Sequence, residues 1–376
     1  MEGVMAFAIY RRFRPKKISE LIGQESVSEV ISNSAKNGKI SHAYLFYGPR
    51  GCGKTSAARI LAKLANCEKR NSDPEFMKEG EPCNECPRCK EIDEGRALDV
   101  VEIDAASNRG IDEIRELKEG ARLSPSVSAR KVFIIDEVHQ LTKEAFNALL
   151  KTLEEPPSHV MFILATTEYD KLPATIISRT QRFSFKRVSV VKIIEKLKMI
   201  AETEGINISD EALEVIASAA EGSFRDAESL FEQVVSMEDK EITLAEVERI
   251  LGKAGSTKTE ELAGRIISGD LPGALETLSS IDEAGYNLTQ LTKDLIHYLR
   301  RVLVSSYDPK MSEIFKSEMT SETAKRIEEH AKVCDKEKTI NTLKALIKAY
   351  GEMKYSPFAI IPLEVAIVES LKNKNA

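Results

Sequence analysis

Apolar residues in the first half of the chain come in short runs, at 43–47, 100–103 (interrupted by Glu102), 131–135 (opened by Lys131) and 161–165, with a shorter, more polar one at 182–185. Runs of about four to eight such residues without alternation predict strands buried on both faces, as in a parallel sheet covered by helices. Between them, 54–66, 111–123 and 143–153 repeat apolar residues every three or four positions, the period of a helix with one buried stripe. Strands separated by helices require right-handed crossovers, so the pattern predicts a parallel α/β sheet. Residues 67–98 interrupt it with polar sequence and Pro74, Pro82 and Pro87, and read as an inserted module. After about residue 186 the strand pattern stops. Helical spacing continues through 192–204, 210–221, 225–236 and 244–251; 252–259 reads as a linker, and five or six further amphipathic helices follow, ending with 362–371. The expected domains are 1–185 (sheet), 186–253 (small, helical) and 254–376 (larger, helical).

Charge narrows the function classes. The net charge is −6, but residues 1–185 carry 28 basic and 27 acidic groups, whereas the remainder carries 26 and 33. Any contact with a nucleic-acid backbone is therefore expected from a local patch in the first half. With no Trp and 6% aromatic residues, base stacking is not the expected mode of recognition. The apolar stretch 4–10 is too short to span a membrane and precedes Arg11, Arg12 and Arg14 rather than following them, so a cytoplasmic protein without membrane contact is expected.

The sharpest motif is Gly48-Pro49-Arg50-Gly51-Cys52-Gly53-Lys54-Thr55, the GxxxxGK[ST] pattern, placed after a predicted strand and opening a predicted helix. Glycines there let backbone N–H groups turn towards phosphates, Lys54 reaches the terminal phosphates, and Thr55 ligates magnesium. A chance glycine-rich turn would not come with that strand and helix. Later, 131–135 runs into Asp136-Glu137, which puts two carboxylates at the carboxyl end of a buried strand. Such a pair is common as a helix cap; together with the P-loop it reads as Asp136 holding Mg²⁺ and Glu137 polarising the attacking water. The 162–165 strand ends in Thr166-Thr167, which offers a hydroxyl beside the terminal phosphate, although Thr is also an ordinary strand residue. By composition alone, Arg179 and Arg225 are solvated arginines. Ser107 or Asn108 reads as a plain N-cap for the helix that follows.

Cys83, Cys86 and Cys89, each separated by two residues, join Cys67 to offer four thiolates. In a cytosolic chain this clustering points to metal rather than disulfides, and a closed four-cysteine set is a structural zinc site. Cys52 and Cys334 read as small apolar fillers.

The strings YRRFRP, GQE, HAYLFYGPRGCGKT, EIDAASNRGIDEIR, IDEVHQLTKEAFNALLKTLEEPP, LATTEYDKLPATIISR and AEGSFRDAESL occur in this order, and over about residues 8–235 the chain resembles the bacterial gamma/tau clamp-loader ATPases. The resemblance implies an α/β P-loop AAA+ domain with a zinc-binding insert, an α-helical lid and an α-helical collar. It implies ATP, magnesium and zinc as ligands, and ATP-driven opening of a sliding clamp and its loading onto primed DNA within the DNA polymerase III holoenzyme. The implied partners are delta, delta prime, further copies of the chain, the clamp and the primed DNA backbone. By the same resemblance Thr167 is the first sensor, Arg225 the second, and Arg179 an arginine finger serving a neighbouring subunit. Tyr10, Arg14, Pro15, Leu21 and Ile22 correspond to the adenine pocket, and Asn108 and Arg109 to a DNA-facing region, although Asp112 and Glu113 oppose an anion there. The chain departs from the family at Thr180, where Cys is usual, but keeps the arginine before it. Two rival readings differ in testable ways. A branch-migration motor should carry a winged helix after the lid, and the pattern predicts none. A non-hydrolysing structural subunit of the same ring is opposed by the intact Lys54, Thr55, Asp136 and Glu137.

Overall fold

The computed structural model describes residues 8–108, 110–236, 241–251, 256–308, 310–311, 315 and 321–372. They form two compact units, Met1–Val188 with Ser223–Asp226, and Ser189–Gly222 with Ala227–Ala376. In the first, α1 (Ile9–Arg12) and α2 (Glu25–Lys36) precede β1 (Ala43–Tyr47) and α3 (Lys54–Asn66). Three short helices follow, α4 (Glu68–Ser72), α5 (Pro74–Met77) and α6 (Pro87–Glu94). The alternation then resumes through β2 (Val100–Asp104), α7 (Ile111–Arg122), β3 (Lys131–Asp136), α8 (Lys143–Glu154), β4 (Val160–Thr166), α9 (Ala174–Ile177) and β5 (Gln181–Ser184).

The five strands are parallel in the order β2-β3-β4-β1-β5. Within each unbroken apolar run, alternate residues serve opposite faces. Tyr44, Phe46, Ile134 and Ile163 pack with α2 and α3, while Leu45, Phe133, Ile135, Phe162 and Leu164 pack with α7 and α8. Burial of each such side chain contributes about 1.5–3 kcal/mol, which is why the fully buried stretches 132–135 and 160–165 hold apolar residues throughout, whereas the less buried β2 admits Glu102. Register sets Asp104 beside Asp136, and Tyr47 beside both Thr166 and Ser184. The polar strand ends therefore gather along one edge of the sheet, where parallel α/β folds bind ligands.

The module at 67–98 is fastened to this layer by buried cations. Arg70 donates to Leu64 O at 2.9 Å and Ala35 O at 2.6 Å, satisfying carbonyls at the ends of α3 and α2. Lys63 on α3 is fully buried and reaches Asp93 Oδ1 of α6 at 2.8 Å.

In the second unit, Ser189 and Ser209 cap α10 (Val190–Glu204) and α11 (Asp210–Ala219) through their side chains. α12 (Phe224–Val235) begins within the first unit and continues into the second, where Glu228 pairs with the buried Lys196 at 3.1 Å. α13 (Leu244–Leu251) follows. Helices Ser256–Ser268, Leu271–Glu283, Leu288–Tyr307, Ser321–Val333, Lys336–Met353 and Ile360–Leu371 share a core that includes Leu262, Leu278, Leu295, Leu299, Leu346 and Ile367. Cys334 packs against that core, and Cys52 is buried in the sheet domain.

Three expectations need correction. Strand pairing does not end at residue 186: Asn207–Ile208 pairs in parallel with Glu241–Ile242, a ladder too short to leave a sequence pattern. The expected linker 252–259 is helical from Ser256 onward, while 252–255 lie outside the described residues. Short polar residues occur at helix starts as readily as in loops, so composition did not separate the two. Finally, the N-cap of α7 is Gly110, with no side-chain cap, because the chain turns at Asp104 and Asn108 Nδ2 folds back onto Asp104 O at 3.2 Å. Among the described residues, no helix is long and apolar enough to cross a membrane.

Candidate nucleotide and metal sites

The loop from Gly48 to Gly53 leaves the carboxyl end of β1 and opens α3, and two of its glycines are sterically required. At φ 143° Gly48 lies so close to Phe185 that a Cβ would stand 2.2 Å from its carbonyl oxygen. At φ 69° a Cβ on Gly51 would stand 1.8 Å from Ser223 Oγ. Phe224 N–H donates to Gly51 O at 3.0 Å, so the start of α12 lies directly on the loop. Lys54 is buried, its Nζ donating to Gly48 O (2.8 Å) and Pro49 O (2.7 Å) inside the loop. Pro49 O also accepts from Cys52 Sγ at 2.8 Å, and Arg50 at the loop's outer turn is exposed.

Across the strand ends, Thr55 Oγ1 donates to Asp136 Oδ2 at 2.7 Å, bringing together residues 81 positions apart. Asp136 Oδ1 accepts from Glu137 N–H at 2.9 Å. Glu137 has left-handed backbone, φ 48° and ψ 42°, which for a residue with a Cβ costs on the order of 1–2 kcal/mol and turns its carboxylate out of the strand direction. That carboxylate accepts from Thr167 at both N (3.1 Å) and Oγ1 (2.9 Å). The neighbouring Thr166 is fully buried; its Oγ1 accepts from Glu168 N–H and lies 2.9 Å from His139 Nδ1. His139 also approaches Glu137 Oε2 at 3.3 Å and Glu168 Oε1 at 3.2 Å. Sequence reasoning passed over His139, and its position two residues after the acid pair was the one available signal.

The stretch from α1 to α2 borders this loop. Leu21 is buried, and Tyr10, Arg14, Pro15 and Ile22 are half-buried. Leu21 Cδ2 lies 3.9 Å from the position of a Cβ on Gly53. Buried Gln24 donates to Cys52 O at 3.4 Å and exchanges hydrogen bonds with the Lys186 backbone at 2.8 and 3.0 Å. Arg225 stacks over the Tyr10 ring, 5.3 Å from its centroid. Arg14 titrates below its usual range, first through burial and then through Arg59; Glu102 partly offsets this, and Arg225 and Arg11 add to it. Arg59 itself pairs with Glu102 at 2.8 Å.

Lys54, Thr55, Asp136, Glu137, Thr167 and Arg225 thus belong to one neighbourhood. Arg179 makes other contacts: its guanidinium pairs with Glu154 at 2.7 Å and donates to Thr175 O and Ser178 Oγ, at the half-exposed end of α9. Asn108 is exposed, and Arg109 lies outside the described residues.

The four cysteines converge. All four sulfurs of Cys67, Cys83, Cys86 and Cys89 lie within 4.8 Å of one another. A tetrahedral ion with bonds of about 2.3 Å to sulfur needs separations of about 3.8 Å, so a small contraction suffices. Backbone N–H groups already point at the sulfurs, from Cys83 to Cys67 Sγ (3.4 Å) and from Glu85 and Cys86 to Cys83 Sγ (3.5 and 3.3 Å). The Cys67 pKa is lowered, first by a hydrogen bond from the Cys89 thiol, against the opposing effect of burial; Cys89 is raised by the same bond. Four clustered sulfurs with N–H donors and a stabilised thiolate fit a soft tetrahedral cation.

Residues 23–189 match the family described as DNA polymerase III, delta subunit; 192–240 match the DNA polymerase III clamp loader subunit, ATPase lid domain; and 242–374 match DNA polymerase III subunits gamma and tau domain III. The chain is 42% identical over 362 residues to DNA polymerase III subunit tau of Bacillus subtilis, covering 96% of this chain and 62% of that one. It is 38% identical over 299 residues to DNA polymerase III subunit tau of Escherichia coli, covering 80% and 45%. Against DNA polymerase III subunit gamma of Buchnera aphidicola (subsp. Acyrthosiphon pisum) it is 35% identical over 358 residues, covering 95% of this chain and 96% of the other. The chain therefore spans about half of the tau relatives and nearly all of the gamma relative.

Proposed function

The chain belongs to the gamma/tau family of DNA polymerase III subunits, and from that premise we propose that it is an ATP-hydrolysing subunit of a clamp loader. In this reading ATP binding orders a ring made with delta, delta prime and further copies of the chain, opens the sliding clamp and places it on primed DNA in the cytoplasm. Hydrolysis then releases clamp and DNA. The Thr55–Asp136 hydrogen bond at 2.7 Å carries the reading, because it sets the P-loop hydroxyl and the strand-end carboxylate where one magnesium ion can be shared.

The contacts within the site support one division of labour. The amides of 48–53 and the Lys54 ammonium bind the phosphates, the ammonium exchanging its loop carbonyls for phosphate oxygens. Thr55 and Asp136 would hold magnesium, which neutralises phosphate charge when bound. Glu137 orients and polarises the attacking water, and Thr167, bonded to the same carboxylate, reports on the terminal phosphate. Arg225 reaches the phosphates from the start of α12, while Tyr10, Arg14, Pro15, Leu21 and Ile22 border the base. Asn108 and Arg109 remain proposed DNA contacts, and 1–185, 186–253 and 254–376 the proposed ATPase, lid and collar domains. The test is phosphate release by the chain alone and with primed DNA, clamp and partner subunits. Marked stimulation by the complete set is expected. Turnover that is equally fast without partners would contradict the clamp-loader reading.

Cys67, Cys83, Cys86 and Cys89 would hold one zinc ion, and the closed set leaves no position for substrate, so its contribution is structural. Elemental analysis of protein purified without chelator should find one zinc per chain. Chelation should raise hydrogen exchange across 67–98 while the amides of β1, β3 and β4 stay protected. Exchange that is unchanged across 67–98 after complete metal removal would contradict this.

A further inference from the structure

The insert and the nucleotide-bordering stretch are joined by two hubs that neither the phosphate chemistry nor the metal site requires. Glu81 accepts with both carboxylate oxygens, from Ile18 N–H at 2.7 Å and Ser19 N–H at 2.8 Å, across more than 60 residues of sequence. The buried Lys63 ammonium donates to Lys16 O at 2.9 Å and to Asn84 Oδ1 at 2.7 Å, and pairs with Asp93 at 2.8 Å. It therefore ties α3, α6 and the 16–19 turn to one buried charge. Asn84 lies between Cys83 and Cys86 with left-handed backbone, φ 60°, in the turn closed by the N–H bonds onto Cys83 Sγ. The clamped turn continues into Leu21 beside Gly53 and Gln24 on Cys52 O.

We propose that the metal-loaded insert, acting through Glu81 and Lys63, holds the 16–24 stretch against the P-loop and so sets the site's affinity for the nucleoside part of its nucleotide. The physical case is local. A free 16–24 stretch would have to be ordered each time a nucleotide binds, and a charge-assisted clamp removes that conformational cost beforehand. The phosphate-binding groups lie at the ends of β1 and β3 and the start of α3, and β1 and β3 are held within the five-stranded sheet. Glu81 and Lys63 are therefore positioning residues, and their influence should be confined to the nucleoside half. The inference rests on reading 48–55 as an ATP site.

The test uses the full zinc-loaded chain, titrated with ADP and separately with inorganic tripolyphosphate, both with magnesium. Glu81→Ala should keep one zinc per chain and bind ADP about tenfold more weakly, with tripolyphosphate affinity unchanged. Glu81→Gln retains one carbonyl acceptor and should fall between the two, and native protein stripped of zinc should behave like Glu81→Ala. Native-like ADP affinity in zinc-loaded Glu81→Ala would overturn the inference. So would an equal loss for tripolyphosphate, which would mean that the phosphate cradle itself is damaged. If Glu81→Ala fails to fold, the same two outcomes are read from Glu81→Gln, with a threefold loss expected. Native protein that binds neither ligand would overturn the ATP-site reading, a result distinguishable from the others.

Discussion

Glu137→Gln protein should bind ATP at native strength yet hydrolyse it at least about 10²–10³-fold more slowly, the usual cost of deleting one group that acts on developing charge in the transition state. The carboxylate contacts Thr167 and His139 rather than the phosphate cradle, so its removal spares the binding groups. Lys54→Ala should lose comparable turnover and most of its ATP affinity, because Lys54 is the buried cation inside the loop. Phosphate release and equilibrium nucleotide binding, measured on the same preparations, separate the two. Near-native turnover in Glu137→Gln would remove that residue from the water-activating role.

Arg179→Ala should leave ATP binding by its own chain intact and lower hydrolysis in the assembled ring by about 10³–10⁵-fold, the range for an arginine that stabilises charge on a transferring phosphoryl group. Within the chain Arg179 is engaged by Glu154, at the half-exposed end of α9 rather than among the phosphate-binding groups. A pair of that exposure contributes about 0–1 kcal/mol, so exchanging Glu154 for a phosphate of a neighbouring subunit costs little. The decisive experiment mixes Arg179→Ala chains with Lys54→Ala chains. Rings that pair an intact loop with an intact arginine should recover part of the activity. No recovery despite demonstrated co-assembly argues against action between subunits, and full activity of Arg179→Ala rings alone eliminates the role.

Legibility in the sequence followed the range of the interaction. The loop 48–55 could be read because its function is local: consecutive residues, two glycines with required positive φ, and a lysine whose ammonium returns to its own loop. The strands were legible because burial on both sheet faces excludes polar residues from 132–135 and 161–165. The cysteines announced their chemistry through spacing, and the Cys67 sulfur, 16 residues before its first partner, could still close with them because loop closure grows slowly in cost. Resemblance, rather than pattern, singled out Arg225, whose composition alone suggests an ordinary solvated side chain.

Sequence by itself thus determined which residues are the candidates for phosphate, acid and metal chemistry, since these depend on residue type and near-neighbour spacing. Only the tertiary structure decided their partners. The order β2-β3-β4-β1-β5 puts Thr55 on Asp136 and Thr167 on Glu137, gives His139 its place between Glu137 and Glu168, and brings the start of α12 onto Gly51. Glu81 on the 18–19 backbone and Lys63 among Lys16, Asn84 and Asp93 were equally invisible beforehand. A charged residue in a polar stretch looks solvated until the packing of remote elements takes its water away and supplies fixed partners instead.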